Sequence, residues 1–233
     1  MNRRKFIKKG ALWITGAAAF DIFIPRLKAQ LDDSVFMANQ TRKGNSGPTI
    51  VATDNFVRAN SATLGANYTA CGDGNSGMAI SGNTAVGVAS VFTVSAWTAN
   101  TFHNDQGTII TFGGAPSGQY IYPCVRLTGT ATTLHGYCLY IEGSTWGIQL
   151  ISAGGGGAVL ASGSVSPAPG DTFELTAVGT NLTAYHSGSI MTASSGSNPA
   201  ADSTYASGSC GVAAYNGGVI GNGTTGAIFL DMD

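Results

Sequence analysis

The sequence predicts an all-β domain, a two-sheet antiparallel β-sandwich, and three observations carry that expectation. Short runs of alternating apolar and polar residues recur from residue 50 onward, separated by Gly, Asn, Ser and Pro. No helical apolar period and no Glu/Lys/Leu-rich segment follows residue 30. Charged residues make up only 10% of the chain, so the polar positions of the strands fall to Ser, Thr and Asn, with 34 Gly and 7 Pro as punctuation. That Gly and Pro content lies below the level of a low-complexity chain.

Residues 1–29 read as an export signal rather than as part of the sandwich. Arg3 and Arg4 stand together ahead of Phe6, a modest apolar run covers roughly Ala11 to Phe20, and the small residue Ala29 is the candidate cleavage point. Paired arginines before a weakly apolar run are the pattern of a twin-arginine leader, with an ordinary secretory leader or an uncleaved anchor as the alternatives. The run is shorter than the roughly 20 residues that a spanning helix needs, so no stable membrane insertion is expected after cleavage. The expected partner of this segment is the export machinery, and the expected location is periplasmic, cell-surface or extracellular in a bacterium. Residues 30–48 read as a flexible polar arm, and residues 49–233 as the domain.

The leader also conceals the charge of the rest. Seven of the 11 basic residues lie within it, so its removal leaves Arg42, Lys43, Arg58 and Arg126 against eleven acids, a formal charge of −7. Four scattered cations cannot track a phosphate backbone, which excludes nucleic acid as the main partner. No basic amphipathic helix is present for an anionic membrane.

Strands are expected near 50–57, 77–81, 83–89, 91–99, 107–113, 119–127, 136–143, 145–152, 157–164, 171–178, 181–187, 209–215 and 225–231, with 194–208 as a loop. Two hairpins can be assigned faces. Phe173, Leu175 and Ala177 share one face and return through a Gly179–Asn181 turn to Leu182 and Ala184, which leaves Glu174 on the opposite, wet face. In the second, YIYPCVRL (120–127) faces YCLYIEG (137–143). Setting Cys124 opposite Cys138 pairs Ile121 with Ile141 and Val125 with Tyr137 on an apolar face. Tyr120, Tyr122, Arg126, Tyr140 and Glu142 then share the other. In VFTVSAWTA, Trp97 alternates with Phe92, Val94 and Ala96 and is a candidate to join that tyrosine row. Trp146 is in phase with Ile148 and Leu150 and reads as core.

The four cysteines, Cys71, Cys124, Cys138 and Cys210, match no zinc or thioredoxin spacing. In an exported chain they predict two disulfides. The hairpin register selects Cys124–Cys138 and leaves Cys71–Cys210; the alternative is buried free thiols.

Several segments in fixed order carry a family resemblance: DNFVRANSATLGANYT (54–69), ISGNTAV (80–86), TANTFHNDQ (98–106), PCVRL (123–127) and GDTFELTAVGTNLTAYHSG (170–188). This pattern resembles the concanavalin A-like lectin/glucanase superfamily, in the LamG-like jelly-roll form of secreted bacterial proteins. The resemblance spans about residues 53–231. It implies two packed antiparallel sheets and a concave face of the kind that often binds glycans, although fold alone does not assign function.

The glucanase branch of that superfamily needs paired carboxylates on one strand. This chain has two Glu, Glu142 and Glu174, neither with a second acid at strand spacing. No G-x-S-x-G elbow accompanies His103, His135 or His186, which read as loop or surface residues. A non-catalytic protein is therefore expected. Sugars prefer flat aromatic surfaces with a few polar groups, so the candidate binding residues are Trp97, Tyr120, Tyr122, Arg126, Tyr140 and Glu142. The competing reading makes these aromatics the cover of a second hydrophobic layer. No cofactor motif appears, and Asp73 and Asp105 are the weak candidates for Ca²⁺ ligands. The sequence thus points to a secreted lectin-like module that binds a carbohydrate or cell-surface polymer. A self-assembling structural or adhesive surface protein is the alternative, and a glycoside hydrolase the most distant one.

Overall fold

The computed structural model describes residues 47–115, 117–221 and 226–232. The expected leader, with Arg3, Arg4, Phe6 and Ala29, and the arm as far as residue 46 lie outside the described residues.

In chain order the strands are β1 (Thr49–Asp54), β2 (Tyr68–Ala70), β3 (Ala79–Ser81), β4 (Thr84–Val86), β5 (Phe92–Trp97), β6 (Gln106–Gly114), β7 (Tyr120–Thr128), β8 (His135–Glu142) and β9 (Thr145–Ser152). They continue as β10 (Gly155–Ser164), β11 (Thr172–Val178), β12 (Asn181–His186), β13 (Ser189–Ile190), β14 (Ser195–Gly196), β15 (Ala200–Ala201), β16 (Ser209–Tyr215), β17 (Val219–Ile220) and β18 (Ala227–Asp231). Among the described residues they form two antiparallel sheets. One runs β13-β12-β11-β6-β17-β4-β3, with β18 and β1 joined beside β6, and β15 on β12. The other runs β14-β10-β9-β8-β7-β16-β5-β2. The expected two-sheet sandwich is therefore present.

Period-two alternation builds the layer between the sheets. Ile110 and Phe112 of β6, Phe173, Leu175 and Ala177 of β11, and Leu182 and Ala184 of β12 face Ile121 and Val125 of β7, Leu139 and Ile141 of β8, and Trp146 and Ile148 of β9. Burying such side chains is worth roughly 1.5–3 kcal/mol each. The 171–187 hairpin has the expected register, with Leu175 opposite Ala184 and Ala177 opposite Leu182. Trp146 is fully buried, as its phase requires.

A second apolar layer lies on the outer face of the eight-stranded sheet. It gathers Phe92, Val94, Tyr122, Cys124, Cys138 and Ala213, with Cys71, Leu127 and Leu134 packed onto them. The segments that bring this cover are short 3-10 turns at Asp73–Asn75 and Ala131–Thr133. They are tied together by a bond from the Ala131 N–H to the Cys71 carbonyl. The glycine run at the β9–β10 turn fits beneath them. Gly154 has φ 84°, and a Cβ there would collide with the Ala131 carbonyl.

Four expectations need correction. First, all four cysteines are free and buried. Cys71 and Cys210 lie on opposite faces of the eight-stranded sheet: the Cys71 thiol donates to the Val94 carbonyl, and the Cys210 thiol points across the sandwich to Gln106 and Gly107 of β6. Cys124 and Cys138 are directly opposed, as the register predicts. Their thiols diverge, one to the Tyr122 carbonyl and the other to that of Gln149 on β9.

Second, Arg126 does not continue the tyrosine row. The Cys124–Cys138 register breaks after Val125, and Arg126 has φ 55°, a β-bulge that turns its side chain over. Third, Trp97 belongs to the layer between the sheets, where it meets Tyr68 and Phe229. The alternation in β5 was read in the right phase, but its two faces are exchanged. Fourth, Glu174 does face away from the inter-sheet layer, yet it is not wet. It sits between Ile109 of β6 and Tyr185 of β12, and burial raises its carboxyl to about 7.

Candidate functional site

The outer face of the eight-stranded sheet carries a row of rings, because alternate positions of three adjacent strands bring them there. Tyr215 at the end of β16 pairs with Phe92 of β5 on one side and Tyr120 of β7 on the other. Tyr122 follows two residues along β7, and Tyr140 lies across on β8. The rings touch edge-to-face, which suits their quadrupoles. Phe92 meets Tyr122 at 5.2 Å between centroids, Tyr120 meets Tyr215 at 5.8 Å, and Tyr120 meets Tyr140 at 6.1 Å. Tyr120 and Tyr122 are parallel within 7°, with centroids 6.0 Å apart.

These rings form one side of an open groove of about 370 Å³, whose lining includes Phe92, Tyr120, Tyr122 and Tyr215 together with Asp73 and Gln149. Asp73 reaches it from the 3-10 turn, with its Oδ2 accepting the Phe92 N–H at 3.4 Å. Gln149 stands on β9 and donates through Nε2 to the Gly157 carbonyl at 3.0 Å. Gly155 and Gly156 of the β9–β10 hairpin complete the wall, and a Cβ at 156 would press on the Gln149 amide.

The sequence-chosen residues divide here. Tyr120 and Tyr122 line the groove. Tyr140 shares their face, but its ring packs over Gly147 of β9, where a Cβ would come within 2.5 Å of it. Glu142 closes the same end, where its Oε1 accepts the Gly118 N–H at 2.9 Å. Burial, and after it the Glu142 carboxylate, raises the hydroxyl pKa of both Tyr120 and Tyr140. Burial raises Tyr122 further, since only 7% of it is exposed. All three rings are neutral in ordinary buffers. Trp97 and Arg126 are elsewhere. Arg126 donates to the carbonyls of Asn104, Tyr205 and Gly179 at 2.8–3.1 Å and lies 3.8 Å from Asp105, so it fastens three loops at the far end of the strand.

Sequence reasoning missed Phe92, Tyr215 and Gln149. Each is a single residue at the end or in the middle of an alternating run, and nothing local says that β16 lies between β5 and β7. The Asp73 and Asp105 carboxylates are engaged with the chain's own donors. Asp105 accepts the Gly179 N–H at 2.7 Å beside the Arg126 guanidinium, an unfavourable setting for a cation. Among the described residues no three His, Cys, Asp or Glu side chains gather as a metal site.

A second cavity of about 440 Å³ opens near Leu64, Tyr68, Met78 and Ser95. The Ser95 hydroxyl there already accepts the Met78 N–H. With one aromatic ring rather than a row, it is the poorer match to a flat polar ligand.

No family model and no curated protein matches this sequence. Solved structures do resemble it. Carbohydrate binding module CBM66 from Bacillus subtilis is 15% identical, with 71% of this chain and 95% of that one covered, at a TM-score of 0.49. The β-glucanase of Bacillus licheniformis is 11% identical over 82% of this chain and 100% of that one, at 0.47. A structure from work on endo-acting O-glycanases of the human gut microbiota is 6% identical, covers 79% of this chain and 100% of its own, and reaches 0.50. At these identities the likeness is one of fold, a sandwich of two antiparallel sheets.

Proposed function

We propose that this protein is a non-catalytic, lectin-like module that binds a carbohydrate or cell-surface polymer in the tyrosine-lined groove. The observation that carries the reading is the groove itself. Neutral rings from three strands present flat apolar surface, and Asp73 and Gln149 stand at its wall with hydrogen-bonding capacity to spare. A sugar offers the matching pattern, apolar C–H faces edged by hydroxyls. Solved neighbours of similar fold that are described as carbohydrate-binding agree with it. Glycoside hydrolysis needs two carboxyls about 5 Å apart for retention, or about 6.5–9.5 Å for inversion. Asp73 is the one acid among the groove's lining residues.

The test is isothermal titration against a panel of polysaccharides, with Tyr120→Ala as the probe because Tyr120 is half-buried and its loss spares the inter-sheet layer. Binding weakens about fivefold, as expected for a ring contact of about 1 kcal/mol, with an unchanged melting temperature. Unchanged affinity rejects the site.

The alternative, a structural protein that assembles through its sheet edges, draws on exposed Ile50 of β1 and Ile190 of β13, both more than half exposed on strands that end the first sheet. High-mass assemblies by light scattering, in the absence of any glycan binding, favour it.

A further inference from the structure

We propose that the groove selects sugars by charge: it takes uncharged rings that bear a free pair of neighbouring hydroxyls and rejects anionic polymers such as uronates and sulfated glycans. This rests on the glycan reading above and narrows it. Asp73 is exposed at the groove wall. Its Oδ2 meets the Phe92 N–H at a long 3.4 Å, so most of its accepting capacity faces the groove. A carboxylate accepts two adjacent hydroxyls through charge-assisted bonds, which are stronger than neutral ones.

The surroundings add negative charge. Glu142 lies beside Tyr120 and Tyr140 and contributes to the raised pKa of both hydroxyls. Gln149 commits one amide hydrogen to the Gly157 carbonyl, which leaves its amide oxygen and second hydrogen for a neutral partner.

The available cations are committed elsewhere. The described residues include two arginines and no lysine. Arg58 is forked onto Asp54 at 2.6 and 2.9 Å, and Arg126 is buried among the three carbonyls it serves. None of His103, His135 and His186 lines the groove. An anionic sugar entering here would give up hydration next to Asp73 and Glu142 and gain no opposite charge.

Affinity electrophoresis of the full-length protein through matched polymers tests this: hydroxyethyl cellulose against carboxymethyl cellulose, and methyl-esterified pectin against its de-esterified form, alongside neutral glucans, galactans, mannans and fructans. Retention is expected only by neutral polymers. Asp73→Asn is expected to weaken it about tenfold, and Asp73→Lys to abolish it while allowing retention by an anionic polymer. Retention of the unaltered protein by an anionic polymer, or full retention of Asp73→Asn on the neutral one, overturns the charge selection and leaves glycan binding standing. No retention by any polymer overturns the glycan reading itself, and this inference with it.

Discussion

At the scale of single residues, Arg126 shows how a polar side chain in a strand sequence can be structural. The sequence places it beside the tyrosines, where an arginine would suit a ligand. The bulge instead sends it to the carbonyls of Asn104, Gly179 and Tyr205, which belong to three separate loops. Only 2% of it is exposed. Arg126→Ala leaves those carbonyls and Asp105 without their partner in a place that water reaches poorly. The expected cost is about 3–5 kcal/mol, read as a lower urea midpoint. Affinity for a groove ligand should change little in the fraction that stays folded. Tyr120 is its opposite, a residue whose removal should be felt by a ligand and hardly by the fold.

Among the elements, β11 explains a pH dependence. Its odd positions fill the inter-sheet layer, and its even position Glu174 lies against Ile109 and Tyr185 on the other face. Burial raises the carboxyl from an ordinary 4.5 to about 7. Below the ordinary value both folded and unfolded chains are protonated, and Glu174 costs nothing. Between there and about 7 the unfolded chain ionises first, so stability falls as pH rises through this window and levels off above it. Asp171 and Asp202 act in the opposite sense. Burial would raise them, but hydrogen bonds from the Ala168 N–H and His186 to Asp171, and from Tyr137 and the Thr204 N–H to Asp202, lower both. Their contribution is lost as pH falls below the usual 3.8. Melting curves from pH 4.5 to 8 should slope downward, and Glu174→Gln should flatten them. An unchanged slope in that variant assigns the effect to another group. The pairing of β7 with β8 makes a related point, because Gly136 opposite the bulge has φ 150° and a Cβ there would press on the Arg126 carbonyl at 2.8 Å.

The whole molecule is held by two apolar layers and no covalent staple. The second layer accounts for the cysteines. Cys71, Cys124 and Cys138 fill it as small apolar groups, and burial pushes the Cys71 thiol up to about 11. Cys210 serves the inter-sheet layer, where burial raises it to about 12. The melting temperature should therefore be the same with and without reductant. Thiol-specific alkylation of the native protein should be slow, with all four sites reacting after denaturation. A loss of stability in reductant would show that a disulfide forms and contributes.

What was legible in the sequence is the part that alternation and turns encode locally. The two-sheet class, most of the long strands, the inward Phe173-Leu175-Ala177 face and the pairing of Cys124 with Cys138 all follow from side chains alternating across a pleat. The short strands β2, β13, β14, β15 and β17 escaped, because two or three residues carry no period. Which face of β5 looks inward was not legible either, since all six of its residues are buried and alternation has two equal solutions when both faces are covered. The groove required the order β5-β16-β7, which joins Phe92, Tyr215 and Tyr120 across more than a hundred residues of chain. Local pattern decides which residues share a face of one strand; only tertiary structure decides which strands are neighbours, and a binding surface is made of neighbours.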